Sequence, residues 1–153
     1  MKDVTCVLSI TRPCDSAHMV RVGVHFSACE ILMKGIVLVV DNERGIANAA
    51  AIVLEQQGYC ALAAYSSAEA IKILSRVDVA LILSDVNMPG VDGVELALEA
   101  RKTCPGAKVL LMSGIETAET INQRPGCELC PFQVMAKPFD CGQLVDRIGE
   151  LLH

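Results

Sequence analysis

The run IVLVV at 36–40 is apolar throughout and mostly β-branched. A strand with one face in water alternates apolar and polar residues. A strand with no polar face has to be covered on both sides, which restricts it to the interior of a layered α/β domain. Similar runs follow at CALAA (60–64, the weakest), VALILS (79–84), AKVLLMS (107–113) and FQVMA (132–136). The intervals between them read as helices. Ile46, Ala49, Ala50 and Val53 recur at helical spacing, and Gly58 is placed to end that helix. SSAE at 66–69 has the form of a capping box ahead of Ala70, Ile71, Leu74 and Val77. Asp92 and Glu95 can cap a third helix with Val94, Ala97 and Leu98 inward. ETAETINQ is a poorer helix, cut off by Pro125-Gly126. Asp140 and Gln143 open a last helix carrying Leu144, Ile148 and Leu151. Five strands alternating with five helices predict a doubly wound five-stranded parallel sheet with helices on both faces. Right-handed crossovers leave few strand orders, and 2-1-3-4-5 is the one expected here.

Composition removes several other classes. The 153 residues suffice for one domain with a real core, and 52% hydrophobic content argues against a disordered chain. A net charge of −5 without any Lys/Arg cluster argues against a nucleic-acid surface. No apolar run is long enough to cross a bilayer, and the stretch Val4–Ile10 is broken at once by TRPCD. The expected location is the cytoplasm, with no membrane partner. Eight cysteines would suggest a disulfide framework in an exported mini-protein. An aliphatic α/β pattern needs no such staples, and Cys60, Cys104 and Cys141 stand beside apolar segments, where a thiol acts as a small hydrophobe. Residues 1–34 lack a period and differ from the rest. They read as a loosely structured extension, or as sequence ahead of a true start at Met33; the regular domain covers 35–153.

In doubly wound sheets, ligands bind outside the carboxyl ends of the strands, at the switch in strand order. The strand ends are therefore where chemistry is expected. The first strand ends on Asp41, Asn42 and Glu43, the third on Asp85, the fourth on Ser113 before Gly114, and the fifth on Lys137-Pro138. Singly, each has an ordinary explanation: an Asp after a strand caps a helix, a Ser before Gly turns the chain, and a Lys-Pro sits in a surface loop. With strands 1, 3, 4 and 5 adjacent, however, the four ends converge. Clustered carboxylates need a cation, and oxygen-only ligation suits Mg²⁺. One carboxylate can then attack phosphorus, while a hydroxyl and an ammonium hold the phosphoryl oxygens.

Residues 35–152 resemble a response-regulator receiver domain, the CheY-like phosphoacceptor of two-component signalling. The matching pieces are VLVVDNE, LILSDVNMPGVDGVEL, VLLMSG and AKPF, in order. The resemblance implies the flavodoxin-like, CheY-like fold. It implies Asp85 as phosphoacceptor, Asp41 in the acidic pocket around Mg²⁺, and the backbone carbonyl of Asn87 as a metal ligand. It makes Ser113 the switch hydroxyl and Lys137 the lysine that pairs with the acceptor, with a cis bond to Pro138. Pro89 and Gly90 would shape the acceptor loop, and Gly93 would let the next helix pack closely. A sensor histidine kinase or histidine phosphotransfer protein would supply the phosphoryl group, and an unidentified downstream protein would read it. Such a chain is not an enzyme beyond gaining and losing its own phosphoryl group.

Three departures from the family pattern stand out. Asn42 replaces the usual second acid, keeping an oxygen but no charge; Glu43 compensates only if it turns inward. Val134 replaces the usual aromatic three residues before the lysine. The segment between Ser113 and Lys137 holds Pro125-Gly126 and CELC, so its helix should be short or irregular. The final LLH falls at the expected end of the last helix, and the first 34 residues are short for a helix-turn-helix module, so the expectation is a stand-alone receiver.

Two other functions compete. A degenerate receiver would bind a partner without phosphorylation because Asn42 weakens the metal site. A thiol or metal protein would use Cys127 and Cys130, whose CxxC spacing suits zinc or a dithiol. Against the latter, no second CxxC or His pair is nearby, and Pro131 follows directly. A haloacid-dehalogenase phosphatase would want a second Asp where DVN has Asn87.

Overall fold

The structure, a computed structural model, describes residues 34–153. The expectations for 1–34 lie, except at Lys34, outside the described residues. Five strands alternate with five helices: β1 (Ile36–Val40), α1 (Arg44–Gln56), β2 (Cys60–Ala64), α2 (Ser67–Leu74), β3 (Leu81–Asp85), α3 (Gly93–Thr103), β4 (Lys108–Ser113), α4 (Ala118–Asn122), β5 (Gln133–Ala136) and α5 (Cys141–Leu152). All four strand pairings are parallel, and the order is β2-β1-β3-β4-β5, as expected.

The unbroken apolar runs follow from where the strands lie. On one face of the sheet, Val37, Val39, Leu81, Leu83, Leu110 and Met112 pack with Ala47, Ala50 and Leu54 of α1 and Leu144 and Ile148 of α5. On the other, Leu38, Val40 and Ile82 pack with Ala70 and Leu74 of α2 and Leu96 and Ala100 of α3. The central strand β3 is buried along its whole length. Alternate residues feed opposite faces, so both faces are apolar, and the buried Ser84 hydroxyl is accommodated by donating to the Asp85 carbonyl at 3.1 Å. The edge strands β2 and β5 are less covered, which accounts for the weaker apolar character of CALAA.

Helix ends agree closely with the sequence, and helix faces less so. Asp92 and Asp140 complete full capping boxes with Glu95 and Gln143. At α2 the box is only half formed. Ser66 Oγ accepts the Glu69 N–H at 3.1 Å, but Glu69 accepts from the Tyr65 N–H at 2.8 Å rather than from Ser66. Gly58 follows α1 with φ +90°, a conformation that favours glycine. The buried face of α1 is Ala47, Ala50, Ala51 and Leu54, with Ala49 exposed and Ile46 and Val53 only partly covered. On α2, Ala70 and Leu74 are buried, Ile71 is exposed and Val77 lies beyond the helix. The expected inward sets were therefore shifted for α1 and too wide for α2. Cys104 is buried, Cys60 is partly covered and Cys141 is exposed, so Cys141 does not play the apolar part expected of it. No helix among the described residues is long and apolar enough to cross a membrane.

Candidate functional site

Four strands in a row deliver the residues expected at the site. Asp41 follows β1 and is fully buried; Asp85 ends β3 and is 6% exposed. The Glu43 N–H donates to Asp41 Oδ1 at 2.9 Å, which fixes that carboxylate in the turn after β1. Lys137, just past β5, places its Nζ 3.2 Å from Asp41 Oδ2 and 3.2 Å from Asp85 Oδ1. One ammonium thus bridges two acids from adjacent strands. Burial alone would lower the Lys137 pKa, but the charges of Asp85 and Asp41 outweigh it and hold the group above its ordinary value. The backbone ties the same elements: the Lys137 N–H donates to the Ser113 carbonyl at 2.7 Å. The Lys137-Pro138 bond is cis, as the resemblance implied.

Ser113 is buried, and its hydroxyl oxygen accepts the N–H of Glu116 at 2.8 Å and of Ile115 at 3.3 Å. The hydroxyl therefore organises the loop that follows β4. The loop after Asp85 is pinned at several points. Gly93 N–H and Met88 N–H both reach the Val86 carbonyl, and the buried Ser67 hydroxyl donates to the Val91 carbonyl at 2.6 Å. Gly90 turns this loop with φ +78°. A Cβ on Gly93 would sit 2.0 Å from the Asp85 carbonyl oxygen, so α3 can start here only on a glycine.

Asn42 and Glu43 are exposed, and Glu43 makes no side-chain cap at α1. Asn87, two residues after Asp85, is exposed between the buried Val86 and Met88. Among the described residues no three His, Cys, Asp or Glu side chains gather as a metal cluster. The physical reason at this site is Asn42, which leaves Asp41 and Asp85 as the carboxylate pair. Two carboxylates, an amide oxygen and a main-chain carbonyl still form a hard, oxygen-only set. That suits Mg²⁺, which commonly uses one or two carboxylates and fills its remaining positions with water or phosphate. The residues fit the ion.

The thiols of CELC do not share one environment. Cys127 is buried against Val94, Ala97 and Ile121, while Cys130 is exposed. Burial is the first cause holding the Cys127 pKa above its ordinary value, the opposite of what a reactive thiolate needs.

Arg124 escaped the sequence reading. Its guanidinium meets Asp92 Oδ2 at 2.6 Å and also pairs with Glu116 Oε1. No motif marks it, because both partners come from other loops.

The sequence matches the response regulator receiver domain family over residues 37–149. This chain is a receiver-domain protein. Its receiver domain is 30% identical over 119 residues to the transcriptional regulatory protein GlrR of Escherichia coli (strain K12), covering 76% of this chain and 26% of that protein. It is 31% identical over 128 residues to the sensor kinase CckA of Brucella abortus (strain 2308), covering 82% of this chain and 13% of that protein. The chain thus spans about a quarter or less of these two relatives. Among solved structures, a CheY-like receiver domain protein from Methanospirillum hungatei JF-1 superposes with a TM-score of 0.69 at 25% identity, covering 76% of this chain and 92% of that one. The response regulator TrrA from Thermotoga maritima, solved with Mg²⁺-BeF, gives a TM-score of 0.65 at 27% identity, covering 76% and 97%.

Proposed function

We propose that this receiver domain takes a phosphoryl group on Asp85 and passes the change on as altered protein binding. The observation that carries this reading is the Lys137 ammonium, 3.2 Å from a carboxylate oxygen of Asp41 and of Asp85. An ordinary structural ion pair needs one acid; here a second, fully buried acid is held against the same cation at the mouth of the switch crevice.

The donor is a phosphohistidine on a sensor kinase or phosphotransfer protein in the cytoplasm. An Asp85 carboxylate oxygen attacks phosphorus and forms a P–O bond. The P–N bond breaks, and its electron pair stays on the imidazole nitrogen. The product is an acyl phosphate, so the carboxylate charge is replaced by a larger one displaced outward. Lys137 stays paired with Asp41 and faces the new phosphoryl oxygens. The Ser113 oxygen already accepts two backbone N–H groups, while its own hydrogen remains a donor suited to a phosphoryl oxygen. Asp41, Asp85, the Asn87 carbonyl and the Asn42 amide oxygen would hold Mg²⁺, which when bound offsets the charge of the transferring group. The chain's own catalysis is limited to gaining and losing this group.

A second reading, a phosphorylation-independent binding module, rests on Asn42 alone. It removes one ligand charge from a site that screens charge poorly. One experiment separates the two. Acetyl phosphate and Mg²⁺ are offered to wild type, Asp85→Asn and Asn42→Asp proteins, and intact mass is followed. Labelling of wild type and of Asn42→Asp, but not of Asp85→Asn, is expected. Labelling that persists on Asp85→Asn refutes the acceptor. Labelling of Asn42→Asp alone favours the second reading.

A further inference from the structure

Arg124 joins the two loops that flank the acceptor. It stands just after α4, with its N–H on the Ile121 carbonyl at 3.1 Å and its carbonyl accepting from Cys127 N–H at 3.1 Å. Its planar fork reaches Asp92 Oδ2 at 2.6 Å with one nitrogen and Glu116 Oε1 with another. Asp92 is tied at both carboxylate oxygens. Its Oδ1 accepts the N–H groups of Val94 and Glu95 at 2.9 Å, and the next residue, Gly93, packs against the Asp85 carbonyl. Glu116 is the other kind of partner: its own N–H donates to Ser113 Oγ at 2.8 Å. All three side chains are only 21–30% exposed, so water screens the pairing incompletely.

We propose that Arg124 is a positioning residue for phosphorylation, holding Glu116, and through it the Ser113 hydroxyl, in the geometry of the unphosphorylated chain. This rests on Asp85 as the acceptor. When Ser113 turns toward a phosphoryl oxygen, the amides of Ile115 and Glu116 either follow it or lose their acceptor. If they follow, Glu116 shifts and its tie to Asp92 through Arg124 opposes the shift. If they stay, the tie holds Glu116 in place and its N–H is left without the Ser113 acceptor, so in either case the tie disfavours the turned Ser113. A ligand that needs the shifted geometry binds more weakly by the corresponding factor. Cutting the tie therefore strengthens binding at Asp85, whereas damage to a merely structural ion pair weakens it.

The test is titration of Mg²⁺-beryllofluoride, a phosphoryl mimic, into the full chain, followed by fluorine NMR. Arg124→Gln is expected to bind several-fold more tightly than wild type. Glu116→Gln, which releases the same arm and leaves the Arg124–Asp92 pair, should shift affinity the same way and serves if Arg124→Gln fails to fold. Wild-type binding with unchanged or weaker binding by these variants overturns the role of Arg124 and leaves the acceptor standing. No binding by wild type overturns both.

Discussion

Gly93 shows how much a single hydrogen atom can decide. The three nearest atoms to an added Cβ are backbone: Asp85 O at 2.0 Å, Asp85 C at 2.8 Å and Val86 Cα at 3.0 Å. None can swing aside as a side chain would. Gly93→Ala therefore has to push α3 away from the end of β3, and it moves the acceptor with it. The expected loss is about 3 kcal/mol, the upper range for overpacking, together with loss of acetyl phosphate labelling. Calorimetric melting and intact mass on one sample check both; an unchanged melt would show that α3 can slide freely. The close packing at position 93 was legible through the family resemblance rather than from the local sequence. Asp85 and Lys137 were legible only jointly, because four adjacent strand ends carry acid, acid, hydroxyl and ammonium, while each alone has an ordinary explanation. Arg124 was not, since its meaning comes from joining the nearby Glu116 to Asp92, 32 positions away, a juxtaposition made only by tertiary packing.

Among the elements, α4 differs most from its neighbours. It has five residues, Ala118–Asn122, and buries Ile121. Pro125 and Gly126, the latter at φ +89°, prevent it from extending. Ile121 packs in the cluster with Leu111 of β4, and Asn122 adds a polar tie just ahead of β5, donating to the Phe132 carbonyl at 3.1 Å and accepting the Phe132 N–H at 2.7 Å. Helix α5, by contrast, buries Leu144 and Ile148 and has a full capping box. A helix below two turns costs little to rearrange. Val134, half-buried on β5, offers no ring to rotate between two positions. The moving part is thus expected to be 114–131. Amide exchange, compared with and without beryllofluoride, should change there and stay flat over 140–152; a change confined to α5 would refute this. The shortness of α4 was legible from Pro125-Gly126, but the inward face of α1 was not. An alanine-rich helix with apolar residues on most sides has no sharp stripe, and the packing against β1 and β2 chooses the phase.

For the whole molecule, Asp92 and Lys137 tie stability to pH in opposite directions. At Asp92, burial acts to raise the pKa, but the Glu95 and Val94 N–H groups and Arg124 outweigh it and hold the carboxyl below its ordinary value. A lowered folded pKa contributes stability that is complete above the unfolded value, about 3.9, and is lost as pH falls through the folded one. Lys137 is the mirror case: its raised pKa contributes stability that is complete below about 10.4 and is lost as pH rises through the folded value. Urea unfolding of wild type and Asp92→Asn should differ by a constant amount across neutral pH. The gap should close only in acid, below about 3.9; a gap that closes near neutrality would assign the loss to something other than this carboxylate.

The bridge between Lys137 and Asp41 spans 96 positions of sequence. A ribosome makes the chain from its amino end, so both buried acids are synthesised well before the cation that compensates them. Long-range contacts of this kind form late in folding. Until β5 docks, Asp41 and Asp85 lack the counter-charge that Lys137 supplies. On the proposed reading, a copy cut before β5 would carry Asp85 without the cation that offsets it, and its two acids would repel both each other and an incoming phosphoryl group.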